Sequence, residues 1–65
     1  MEPTKDELRD QMFAACDEAD QETVYMMVAK SEESAKDHEQ KALAAMNRAD
    51  ALKWKIDNGE YRQAS

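Results

Sequence analysis

The sequence predicts an all-α fold: a two-helix antiparallel hairpin that assembles into a homo-oligomer, most simply a dimeric four-helix bundle. Three observations predict it. The only proline is Pro3 and the only glycine is Gly59, so residues 4–58 carry neither of the strongest helix breakers. Apolar residues recur at steps of three and four on both sides of a polar stretch. With 65 residues, a lone chain would bury only roughly 60% of the surface it exposes unfolded, a marginal figure.

The first helix is placed at about residues 4–29. Thr4 and Glu7 have capping-box spacing, with Pro3 just outside. Asp6, Glu7 and Asp10 set negative charge near the positive end of the helix dipole. Leu8, Met12, Ala15, Ala19, Glu22, Met26 and Ala29 then form one stripe, interrupted only by Glu22.

A turn is placed at about 30–34, inside a stretch from Lys30 to Lys41 whose only apolar member is Ala35. Ser31 and Ser34 both suit an N-cap. The rival arrangement is one unbroken helical rod, a structural coiled-coil spacer. The second helix, about 34–57, carries the stripe Ala35, His38, Ala42, Ala45, Ala49, Leu52 and Ile56. Asn58-Gly59 reads as its stop, and residues 58–65 as a short frayed tail. The whole chain is read as one domain.

Folding the chain back so that partner numbers sum to about 64 sets Leu8 opposite Ile56 and Met12 opposite Leu52. Alanine then faces alanine in the middle, while Glu22 faces Ala42 and Met26 faces His38. A small-residue seam allows close helix approach.

Apolar residues remain outside this seam: Phe13, Cys16, Val24 and Met27 on the first helix, Leu43, Met46 and Trp54 on the second. These seven are the predicted oligomer interface. Burying Phe13, Val24, Leu43, Met46 and Trp54 is worth on the order of 10 kcal/mol before entropy losses, so pairing should be obligatory for stability.

The net charge is −6, and residues 1–41 hold 12 acidic side chains against 5 basic ones. Such a chain is a poor generic ligand for nucleic acid. It suits solubility or a basic protein surface. No apolar run approaches bilayer length, and the N-terminal residues lack the pattern of a signal peptide. A single cysteine, Cys16, fits a reducing compartment, so a cytoplasmic location is expected, in a bacterium or an infected host cell.

Catalytic and metal chemistry find no support. The only histidine, His38, has Ala35 three residues before it, so the Glu-x-x-His pair of carboxylate-bridged metal sites is absent. Cys16 reads as a buried small apolar residue about five helical turns from His38, not as a nucleophile beside its base. No enzyme activity and no cofactor are expected.

Two blocks suggest binding. Val24-Tyr25-Met26-Met27-Val28-Ala29 covers every side of a helix with apolar groups, so more than one face there needs cover. Lys53, Trp54, Lys55, Tyr61 and Arg62 form the one basic-aromatic group. With Tyr25, they are the candidate contacts for a partner or a phosphorylated small molecule.

In outline, two helices, a short turn and a polar tail within 65 residues resemble the small plasmid RNA-binding hairpin that dimerises into a four-helix bundle. The likeness is one of architecture and carries no functional residue across. The leading functional expectation is a small acidic accessory or inhibitor protein of the kind phage and mobile elements encode. A nucleotide-sequestering module and a structural assembly element are the alternatives.

Overall fold

The computed structural model describes residues 2–63 and contains two helices, α1 (Lys5–Met27) and α2 (Glu32–Asp57), packed against each other. The chain is a hairpin, not a rod. Thr4 caps α1, its Oγ1 accepting from the Glu7 N–H at 3.3 Å. The helix closes at Val28, whose N–H still reaches the Val24 carbonyl at 3.1 Å. Residues 28–31 make the connection without any non-glycine residue at positive φ.

Of the two serines, Ser31 is the cap: its Oγ accepts from the Ser34 N–H at 3.1 Å. That choice places Glu32 and Glu33 in the first turn of α2, where the dipole favours carboxylates. The turn therefore falls two to three residues earlier than the sequence reading put it. Ser31→Ala should lower the unfolding free energy by about 1 kcal/mol, measured by urea titration.

At the other end, the Gly59 N–H donates to the Ile56 carbonyl (3.2 Å) and the Glu60 N–H to the Lys55 carbonyl (2.8 Å). This is the Schellman closure, and it requires the positive φ of 70° that Gly59 adopts. The chain then returns to the start of α1. The Arg62 N–H donates to the Pro3 carbonyl at 2.8 Å, beside a single parallel pairing of Thr4 with Arg62. Residues 60–63 were expected to fray, but the reversal at Gly59 aims them at the neighbouring helix end; residues 64–65 lie outside the described residues.

All fourteen seam residues are buried or half-buried. Leu8, Ala15, Ala19, Ala42, Ala45, Ala49 and Leu52 form the core. One detail differs from the expected register. The two polar members meet each other, Glu22 Oε2 lying 2.5 Å from His38 Nδ1, instead of each facing an apolar residue. A half-buried carboxylate and imidazole each cost desolvation unless bonded, and pairing them answers both needs.

The core is thin, because five of its seven side chains are alanine. The hairpin is 50 Å long and 18 by 14 Å across, with a radius of gyration of 14.6 Å. A compact chain of this length would have about 11 Å. Its accessible surface is 5101 Å². A globular monomer of its mass exposes about 4,200 Å², leaving an excess of about 900 Å². No described helix is long and apolar enough to cross a membrane.

Candidate functional site

The residues outside the seam fall into two flanks of unlike chemistry. On α1, Phe13, Cys16, Asp20, Val24 and Met27 follow one another at steps of three and four, and so share a stripe. On α2, Leu43, Met46, Asp50 and Trp54 do the same. A shallow groove lined by Cys16, Ala19, Asp20 and Thr23 from α1 and by Met46, Ala49 and Asp50 from α2 joins the stripes. The seven residues assigned to an oligomer interface therefore lie on one face of the hairpin. All of them are exposed.

Small, buried side chains, Ala19 and Ala49, floor the groove. Its volume is about 250 Å³. Small-molecule sites usually enclose about 300–1,000 Å³. The groove of one hairpin lies just below that range.

The opposite flank is polar and internally paired. Arg48 bridges to Glu18 across the helices, and Lys41 pairs with Asp37 at 3.2 Å. Tyr25 belongs to this side. Its hydroxyl accepts from the Gln21 amide at 2.7 Å, and its ring lies 5.4 Å from that of His38. Tyr25 is thus engaged within the hairpin, beside the Glu22–His38 pair.

That pair is only partly screened, with side-chain exposures of 16% for Glu22 and 24% for His38. It ties the last third of α1 to the first third of α2. A double-mutant cycle with Glu22→Ala and His38→Ala should give a coupling of about 1–2 kcal/mol in unfolding free energy.

The structure divides the basic-aromatic group. Lys53, Trp54 and Lys55 are consecutive helical residues and point about 100° apart, so only Trp54 stands on the stripe with Leu43 and Asp50. Tyr61 and Arg62 lie past the helix end, where they line a cleft with Thr4, Lys5, Asp6 and Gln63. The five residues do not converge on one site.

Two acidic residues that the sequence reading assigns to no site, Asp20 reading as part of a solvated acidic cluster, fill the gaps in the apolar face. Asp20 sits midway in the eight-residue gap between Cys16 and Val24, and Asp50 midway between Met46 and Trp54. Both are exposed. Neither side chain forms a hydrogen bond or ion pair among the described residues. The gap itself was the signal, since a regular stripe needs an occupant there. Among the described residues no group of three histidine, cysteine or acidic side chains is placed to hold a metal ion.

Compared with known protein families, curated proteins and solved structures, the chain matches none.

Proposed function

We propose that this chain is a small acidic, non-enzymatic binding protein that engages a macromolecular partner, as an accessory or inhibitor, through its uncovered apolar face. One observation carries the reading: Phe13, Cys16, Val24, Met27, Leu43, Met46 and Trp54, drawn from both helices, all stand exposed on the same side. A row of large exposed apolar side chains drawn from both helices of a small protein marks an interaction site.

In the absence of that partner, a second copy covers the face, giving a homodimeric four-helix bundle. The excess surface of about 900 Å² is close to the roughly 800 Å² that each partner contributes to a standard interface. The thin alanine core gives the hairpin a reason to need such cover.

Affinity capture from cells that express the protein tests the reading, with wild type and Phe13→Ser/Leu43→Ser run in parallel. A stoichiometric protein retained by wild type and lost from the variant is expected. A protein retained equally by both would place the working surface elsewhere.

A further inference from the structure

The middle of the face is not apolar. Asp20 and Asp50 stand on opposite walls of the groove, on the centre lines of the two stripes. Large apolar groups lie to either side along each helix: Phe13, Val24 and Met27 on α1, Leu43 and Trp54 on α2. Elsewhere in the hairpin the carboxylates at helix contacts are answered, Glu18 by Arg48 and Glu22 by His38. These two are left without a cation among the described residues.

Covering the face withdraws both carboxylates from water, which is costly unless the cover supplies positive charge. A second copy supplies none at the centre. Where the two faces meet centre to centre, it adds its own Asp20 and Asp50, which sets four carboxylates in one layer between chains that each carry −6. Self-pairing is therefore opposed at its centre, and is strongest when salt screens the repulsion. A cover with basic groups at mid-length meets no such penalty and gains charge-assisted bonds.

We infer that the occupant of this face in the working complex is an amphipathic helix of a partner protein, with lysine or arginine at the middle of its apolar stripe. This rests on the face being the working surface. The stripe from Phe13 to Met27 spans about 21 Å, so the partner helix presents about four turns. Its apolar residues at i, i+3, i+4 and i+7 spacing seat beside Phe13, Leu43 and Trp54. Its central cation lies between Asp20 and Asp50, and its arrival displaces the second copy.

The test uses two synthetic amphipathic helical peptides of roughly 16 residues, identical except for a lysine pair or a glutamate pair at the centre. Binding to the full chain is followed by the fluorescence of Trp54, the sole tryptophan, which stands on the face. The lysine peptide should bind at least about tenfold more tightly at low salt, with the margin shrinking as salt rises. Asp20→Asn/Asp50→Asn should reduce the preference to about twofold or less while strengthening self-association. Glu32→Gln/Glu33→Gln removes the same charge away from the groove and should leave the preference in place.

Equal binding of the two peptides to the wild-type face overturns the inference, as does a preference lost equally in both charge variants. A wild-type dimer that neither peptide disturbs makes the second copy the occupant, and overturns it too. If Phe13→Ser/Leu43→Ser binds both peptides as wild type does, the reading of the face itself fails. That outcome is distinct from loss of the charge preference alone.

Discussion

A Phe13→Ser/Leu43→Ser chain is expected to lose self-association, its dissociation constant rising by at least about 100-fold. The two side chains are 53% and 52% exposed in the hairpin, so their removal takes little from the seam. In the proposed bundle they would be covered, and each would be worth about 1.5–3 kcal/mol of burial. A two-fold assembly loses each group twice, and every 1.4 kcal/mol is about tenfold in affinity. Thermal melts at several protein concentrations provide the measurement. Wild type should melt higher as concentration rises, because dimerisation stabilises by mass action, and the variant should lose that dependence. A variant whose melting still tracks concentration as wild type does would show that these residues lie outside the interface.

The second large effect concerns the seam. Leu8→Ala should cost about 2–5 kcal/mol of unfolding free energy. Leu8 is 1% exposed, and Leu8 and Leu52 are the only core side chains larger than alanine among the described residues. The remaining core offers short side chains that cannot move far enough to fill a leucine-sized void. A small helical core supplies only about 3–5 kcal/mol in total, so the variant should be largely unfolded at micromolar concentration. Far-UV circular dichroism with urea titration measures this. A loss below about 1 kcal/mol would mean that Leu8 contributes little to the packing, against its burial.

The seam was legible because its chemistry is periodic and local. Leu8 to Ala29 and Ala35 to Ile56 keep helical spacing, and every one of these positions is buried or half-buried. Thr4 as the first cap and Gly59 as the last stop were legible for the same reason: each answers orphan backbone groups within a few residues. The choice between Ser31 and Ser34 was not, since both satisfy a cap and only the path of the connection decides. Pairing of Glu22 with His38 depends on a stagger between helices that periodicity alone does not define. The return of Arg62 to Pro3 likewise depends on the direction the chain takes after Gly59.

The face was legible in part. Its seven apolar residues follow from spacing, but their shared side required the packed pair, because a stripe on one helix says nothing about its relation to a stripe on the other. Asp20 and Asp50 were passed over for a different reason. A single carboxylate on a helix reads as solvated surface until its neighbours along the stripe are seen to be Phe13, Cys16, Val24 and Met27 for Asp20 on α1, and Leu43, Met46 and Trp54 for Asp50 on α2. Lys53, Trp54 and Lys55 are adjacent in sequence, and helical geometry sends them in three directions.

Sedimentation equilibrium of the full chain at micromolar concentration, at low and at high salt, addresses the central claim most directly. The account predicts particles of twice the 7.4 kDa chain mass, with the dimer fraction rising with salt as the Asp20 and Asp50 charges are screened. A folded, stable monomer of 7.4 kDa at every salt concentration would contradict it.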